Sequence, residues 1–516
     1  MTRTSGALLH LTSLPGPFGC GKIGPEALDF ARLLRSGGFS FWQVLPFGPP
    51  AAGHSPYQCD SVFAGNPQLI DPRPLADFGL LTEDEVRACH LPDAAHQCDF
   101  SSLEEITARM LRQAYGRLSS ELAGRIELWQ QNPEQALWLE DYAIYQTISL
   151  QQSGKPWWEW PDAGLKWHDP AAVAAFCVQN RTEIFFQVFV QYWFFQQWQS
   201  LKAEINQIGI QVIGDLPIYV ALDSCDVWAN RRYFDLDESG RPLQVAGVPP
   251  DYFARDGQLW GNPLYLWPNH AADGFSWWLE RLASALRLFD RVRLDHFRGF
   301  VNYWAVPAEA ATAKAGKWLP GPGHQLFKII FERFPKSAFI AEDLGEIDDE
   351  VRQFLLETGL PGMRVLQFGF DPAVSSTHLP CFYPANCAAY SGTHDNNTLL
   401  GWLWEADEAE RSFALRYAGL TDPDCNWGRG GRAAPAVCAL LRVLWASPAD
   451  LAVSPLQDLL GYGRDTRMNT PGEATGQWGF RVTDGELAAL DLEWLREMNR
   501  TYRRHADYLL PGEAFC

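Results

Sequence analysis

The chain has 516 residues, 47% apolar and 20% charged, an ordinary balance for a globular protein that can bury a large core. Its 42 basic and 62 acidic residues leave a net charge of −20, which argues against nucleic acid or an anionic membrane as partner, since either wants clustered Lys and Arg. The 11 cysteines include no C-x-x-C pair and no metal-like cluster, which points to reduced thiols rather than a disulfide frame.

The start, Met1-Thr2-Arg3-Thr4-Ser5, lacks the apolar core of a secretion signal, so a cytoplasmic protein is expected. Short apolar runs then recur, each closing on polar, Gly or Pro residues. Eight read as strands: Leu8–Leu14, Phe41–Pro46, Ile210–Leu216, Val292–His296, Ala338–Leu344, Val365–Phe370, Ala389–Thr393 and Leu451–Pro455. Pro25–Ser36 reads as a helix that opens at a Pro and stops at Gly37-Gly38. Thr182–Gln207 predicts a long aromatic-rich helix and Trp277–Phe289 another. The stretch Ile184–Phe195 is the most apolar, yet it contains Gln187 and Gln191 and is too short to span a bilayer. The 22 Trp are read mainly as core, with some free to stack on an apolar ligand face.

Strand and helix alternation predicts a parallel sheet, and eight strands predict an α/β fold of the closed (β/α)8 TIM-barrel type. The spacing is uneven. About 160 residues separate the second and third runs and about 75 the third and fourth, too many for simple loops. The expected organisation is one discontinuous barrel with a mostly helical insertion at about 66–175, an irregular one at about 217–275 covering the cleft, and a helical one at about 396–445. The tail after Met498 reads as helical and docked.

Three runs end in acids: Arg293-Leu294-Asp295, Ala341-Glu342 and His394-Asp395. Residues two apart on a strand face the same side, so Arg293 and Asp295 would point together toward the barrel axis. A neighbouring Arg is expected to keep Asp295 ionised, lower its pKa and suit it to nucleophilic attack. Burial is expected to raise Glu342 and make it a proton donor near neutrality. A neutral His394 and an ionised Asp395 would hydrogen-bond sugar hydroxyls. Taken singly, each has an ordinary reading as an ion pair or loop residue. Together, on successive strands, they form the set that glycosidic-bond chemistry needs.

Further motifs carry a family resemblance. These are Leu9-His10-Leu11-Thr12-Ser13-Leu14-Pro15-Gly16-Pro17-Phe18-Gly19, with Leu11 where Pro is usual, then Ser55-Pro56-Tyr57-Gln58 and Gly65-Asn66-Pro67. Val248-Pro249-Pro250-Asp251-Tyr252-Phe253, Gln258-Leu259-Trp260-Gly261-Asn262-Pro263 and Arg467-Met468-Asn469-Thr470-Pro471-Gly472 follow. In this order they resemble the amylomaltases, the 4-α-glucanotransferases of the α-amylase superfamily, from about Leu8 to about Arg481.

The resemblance implies a barrel with inserted subdomains and no separate C-terminal β-domain. It implies Asp295 as nucleophile, Glu342 as general acid/base and Asp395 as transition-state stabiliser. Arg293, His394 and Asp215 would complete the surroundings. Ser55, Tyr57, Asp251, Tyr252, Gln258, Trp260, Phe368 and Asn469 would contact α-1,4-glucan donors and acceptors such as maltooligosaccharides, amylose and glucose. No cofactor is implied. Leu216-Pro217-Ile218-Tyr219 follows Asp215 where α-amylases carry a calcium-linked Asn-His, so no structural calcium is expected. The Pro-stiffened loop Val245–Phe253 favours transfer to a sugar over transfer to water. An α-amylase-type hydrolase and a non-catalytic glucan-binding protein are the alternatives.

Overall fold

The structure is a computed structural model and describes residues 3–51, 53–91, 96–250, 255–420, 426–473 and 476–509. Eight parallel strands close into a barrel: β1 (Thr4–Leu8), β2 (Phe41–Gln43), β3 (Gln211–Leu216), β4 (Arg291–Leu294), β5 (Phe339–Ala341), β6 (Gly362–Val365), β7 (Cys387–Tyr390) and β8 (Leu451–Pro455). Each pairs with the next in the chain, and β8 closes on β1 with Thr4 opposite Leu451 and Leu8 opposite Pro455. With its surrounding helices this is the (β/α)8 barrel that the alternation predicts. The described elements after Pro455 are all helical.

The strand ends differ from the apolar runs. The first strand lies earlier than Leu8–Leu14, because its polar residues are satisfied inside the fold. The Thr4 N–H donates to the Asp450 carbonyl at 2.7 Å, and the Ser5 hydroxyl to Asn499 Oδ1 at 2.6 Å. Leu11–Ser13 is a buried 3-10 turn instead. The sixth strand ends at Val365, and the apolar run continues into a 3-10 turn, Leu366–Gly369. Apolar character therefore marks burial here, not strand extent.

Helix α1 (Pro25–Ser36) turns Ala27, Phe30, Ala31 and Leu34 inward. Before β3 come helices Phe100–Tyr115, Ser120–Gln130 and Leu139–Gln151, then α2 (Arg181–Gln207). The stretch expected to be irregular contributes Gln244–Val248 and Gln258–Pro263 to a four-stranded antiparallel sheet. Asn302–Pro307 and Lys317–Pro320 complete it from the far side of β4. Helices Leu399–Glu405, Glu408–Tyr417 and Pro435–Ala446 lie between β7 and β8. No helix among the described residues is long and apolar enough to cross a membrane.

Two devices tie distant segments to the barrel. Arg504, fully buried, donates to the carbonyls of Thr4 (3.0 Å), Trp445 (2.9 Å), Ser447 (3.1 Å) and Ala449 (2.7 Å). It locks the tail against the seam where β1 meets β8. Gln191 on α2, also fully buried, donates to the Gly65 carbonyl at 3.0 Å and accepts the Gly65 N–H at 2.7 Å. Gly65 lies so close to α2 that a Cβ there would sit 2.0 Å from the Phe194 ring. Gln197 clasps Asp71 in the same way, at 2.9 and 2.8 Å. These amides are why an apolar helix carries glutamines: each replaces backbone partners that a buried loop would lack.

Gln191→Leu strands both Gly65 groups. At about 1–3 kcal/mol for each unsatisfied group, the expected loss is roughly 2–6 kcal/mol, read as a lower urea midpoint at unchanged slope.

Candidate active site

Asp215 stands within β3, while Asp295 and Glu342 each sit one residue past the ends of β4 and β5. His394 and Asp395 lie in the turn after β7. The parallel register sets Asp215 beside Arg293, and Arg293 beside Ile340. All these acids therefore emerge at the same mouth of the barrel, where loops build sites in this fold.

Arg293 is the hub. Its Nη1 donates to Asp215 Oδ1 at 2.8 Å and Oδ2 at 2.6 Å, and reaches Asp295 Oδ1 at 2.8 Å. Tyr57 donates its hydroxyl to Asp215 Oδ2 at 2.7 Å and stacks on His394 with centroids 5.0 Å apart at 17°. Burial, and then Asp215, push the Tyr57 phenol well up, so it stays a donor. Ser55 shapes the turn that presents Tyr57: its Oγ accepts the Tyr57 N–H at 3.3 Å.

Asp295 keeps 26% of its side chain open, enough for a ligand to reach it. Burial raises its carboxyl to about 6; Arg293 pulls it down, and Asp215 pushes it back up. The expectation that Arg293 holds Asp295 below the usual range is thus corrected. The guanidinium is shared with Asp215, and its pull does not offset desolvation.

Glu342 is held from four sides by backbone. Its Oε2 accepts the His296 N–H at 2.7 Å and its Oε1 the Leu344 N–H at 2.8 Å. Its own N–H donates to the Leu294 carbonyl at 3.0 Å, and its carbonyl accepts the Phe297 N–H at 2.9 Å. Burial raises its carboxyl to about 7, with Arg293 opposing and Asp295 assisting. The raised value expected for Glu342 matches in direction and cause. Since His296 follows Asp295, a single peptide unit and one hydrogen bond join the two acids.

The third acid behaves oppositely. Burial alone would raise Asp395, yet His394 Nε2 at 3.2 Å and Asn469 Nδ2 at 2.6 Å hold it down at about 2. Burial lowers His394, but Asp395 outweighs it, so the imidazole sits above the ordinary histidine value. The expected neutral His394 is corrected accordingly: the ion pair with Asp395 favours the cation.

Trp260 lies on the antiparallel sheet, its indole donating to Gln258 Oε1 at 3.1 Å and packing edge-on to His296 at 4.9 Å. Gln258 itself is exposed. Phe368, half-buried in the turn after β6, packs edge-on to His378 at 5.6 Å. Asp251 and Tyr252 fall outside the described residues. Three neighbours went unassigned in the sequence. Trp478 tilts against both Tyr57 (5.7 Å) and His394 (5.8 Å). Arg467 donates to the Asp395 carbonyl. His296 bridges Glu342 and Trp260. Only Arg467 had a signal, its place in the late motif. Among the described residues no group of three His, Cys, Asp or Glu is placed to hold a metal ion.

An acid that keeps its proton near neutrality, beside one polarised by arginine and one fully ionised, is a set of carboxyls whose surroundings divide their tasks. Comparison with known proteins agrees with that chemistry. Residues 9–487 match the profile of the family described as 4-alpha-glucanotransferase. A 4-alpha-glucanotransferase of Thermus thermophilus is 43% identical over 509 residues, covering 98% of this chain and 99% of that protein. One from Streptococcus pneumoniae is 39% identical over 504 residues, covering 97% of each. The solved amylomaltase from Streptococcus agalactiae, in complex with acarbose, is 35% identical, covers 98% of this chain and 100% of its own, and superposes with a TM-score of 0.92. On this match along nearly its whole length, the chain belongs to the 4-alpha-glucanotransferase family.

Proposed function

We propose that the chain carries out its family's glucan transfer as a retaining double displacement. Asp295 attacks the anomeric carbon of an α-1,4-linked glucose while Glu342 gives its proton to the departing 4-oxygen. The donor segment is then esterified to Asp295 and the first glucan fragment leaves. Glu342, now ionised, takes the proton from the 4-hydroxyl of an incoming glucan or glucose. That oxygen displaces Asp295 and restores both carboxyls. The observation that carries this reading is the 2.7 Å hydrogen bond from the His296 N–H, on the peptide unit that Asp295 begins, to Glu342 Oε2. It supports the short separation, about 5–5.5 Å, that a covalent glycosyl intermediate requires.

The other residues have supporting tasks in this scheme. Arg293 orients Asp295 and restores part of the ionised fraction that burial removes. Asp395, ionised and paired with His394, accepts from sugar hydroxyls that donate more strongly as the ring flattens. Asp215 fixes Tyr57, whose ring faces the same mouth. Ser55, Gln258, Trp260, Phe368 and Asn469, together with Asp251 and Tyr252, contact the glucan on either side of the cleaved bond. Acarbose in the Streptococcus agalactiae relative supports an oligosaccharide in this cleft. Maltooligosaccharides, amylose and glucose are the proposed donors and acceptors. The nine described cysteines are all free thiols, which suits a reducing cytoplasm.

Supplied with maltotriose alone, the protein should release glucose and build a ladder of longer chains at constant reducing ends. A rise in reducing ends without a ladder would make it a hydrolase. Asp295→Asn should lose nearly all turnover, by about 10³-fold or more as for removal of a nucleophile, yet still bind maltooligosaccharide in calorimetry. Turnover that survives the change refutes the assigned nucleophile. The pH profile of kcat/KM should be a narrow bell. It falls on the acid side as Asp295 takes up a proton near 6, and on the alkaline side as Glu342 loses its proton near 7.

A further inference from the structure

His296 directly follows the acid assigned as nucleophile. Its backbone lies at φ 51°, ψ 52°, the left-handed region that is uncommon outside Gly and in which Asn, Asp and His are the enriched side chains. It is the second of the two residues, Asp295 and His296, between the end of β4 and the turn Phe297–Phe300. That conformation has a visible result. Two successive N–H groups, of His296 and Phe297, both turn toward Glu342, one to the carboxylate Oε2 and the other to the main-chain carbonyl. An extended residue at 296 would turn the two N–H groups to opposite sides.

The imidazole has a different set of neighbours. It packs edge-on to Trp260 at 4.9 Å and lies over Gly299, where a Cβ would come within 3.1 Å of Cδ2. Its Nε2 is buried and has no hydrogen-bond partner. Burial, with Arg298 nearby, holds the ring at about 4, so it is neutral at working pH. A ring with one nitrogen sealed away and no charge has little to offer proton transfer. The contribution of position 296 lies in the main chain.

We propose that His296 is a positioning residue that acts through its backbone: its left-handed turn carries the 296 and 297 N–H groups onto one partner, Glu342, and so sets the distance and orientation between the Asp295 and Glu342 carboxyls. The proposal rests on the reading of Asp295 and Glu342 given above. One oxygen of Glu342 is held by this N–H and the other by Leu344, so the proton resides on a carboxyl that cannot swing. The same peptide unit begins at the Asp295 carbonyl carbon. A rotation at 296 shifts the Phe297 N–H relative to the 296 N–H, and with it Glu342, which accepts both, relative to Asp295.

Substitutions ranked by left-handed tolerance test this, because that ranking differs from similarity to histidine. His296→Asn and His296→Gly accept the turn; His296→Ala resists it and His296→Val resists it most. With maltotriose, kcat should fall in the order Asn, Gly, Ala, Val, reaching about tenfold or more below wild type for Val, within the range of a general acid's contribution. KM should stay within about twofold. The alkaline limb of the pH profile should move upward in Ala and Val, because ionised Glu342 loses a donor while Arg293 and Asp295 still face it. A merely structural role would leave that limb in place.

Gly falling as low as Val would show that the imidazole matters and would overturn the proposal. So would four variants with wild-type kcat, or an unmoved limb. The Gly and Ala pair differs by one methyl and decides the matter even if Val does not fold. Glu342→Gln, run alongside, separates the two layers. Its inactivity with a flat His296 series rejects this inference alone, whereas its activity rejects the acid/base reading beneath it.

Discussion

One buried guanidinium allows four carboxyls to crowd into a single barrel mouth. At an effective dielectric of about 20, two like charges about 4 Å apart repel by roughly 4 kcal/mol. Asp215 and Asp295 both lie at hydrogen-bond distance from Arg293 Nη1. Arg293 is itself buried on a strand whose register fixes it beside Asp215. Removing the cation would leave Asp215 an uncompensated buried charge, a far larger loss than a surface ion pair could cause. The division of protonation states follows from this arrangement. Asp215 takes the closest contacts to Arg293, Asp295 shares what remains, Glu342 is buried further along with backbone donors, and Asp395 has its own partners in His394 and Asn469.

The barrel turns that local chemistry into a fixed geometry. Parallel strands deliver Asp215, Asp295 and Glu342 to one rim, each supported by a ladder rather than by a loose loop. The loops above then need anchors of their own. Tyr57 is anchored through Asp215. The 65–71 segment that follows is anchored through Gln191 and Gln197 of α2. Asn469 and Arg467, past β8, fasten the His394–Asp395 turn from the other side. Substrate-facing groups are thus tied by hydrogen bonds to the same strands that carry the acids.

Much of this was legible in the chain. Runs ending in Arg-x-Asp, Ala-Glu and His-Asp located the acids, because strand ends are where a barrel places its chemistry. Other parts were illegible for identifiable reasons. Glu342 and Asp343 are adjacent and chemically alike; only the fold sends Asp343 to Arg364 and the Met363 N–H, away from the mouth. The first strand hid behind Thr4 and Ser5, whose partners lie more than 400 positions away. The antiparallel sheet was invisible because its strands come from both sides of β4, so no local pattern announces it. The charge of His394 and the raised pKa of Asp295 depend on burial and on third parties, which spacing does not reveal.

The Arg504 anchor has a consequence for how the molecule comes into being. Its contact with Thr4 spans 500 positions, and the seam it covers joins the first and last strands. During synthesis the ribosome releases β1 long before β8 exists, so the nascent chain holds an open sheet with two unpaired edges until β8 emerges. Such edges invite pairing with other chains. The mouth is equally incomplete in that interval, since Asn469 and Arg467, which fasten the His394–Asp395 turn, follow β8 in the chain. Closure of the barrel and completion of its mouth are therefore late events of the same stretch of synthesis.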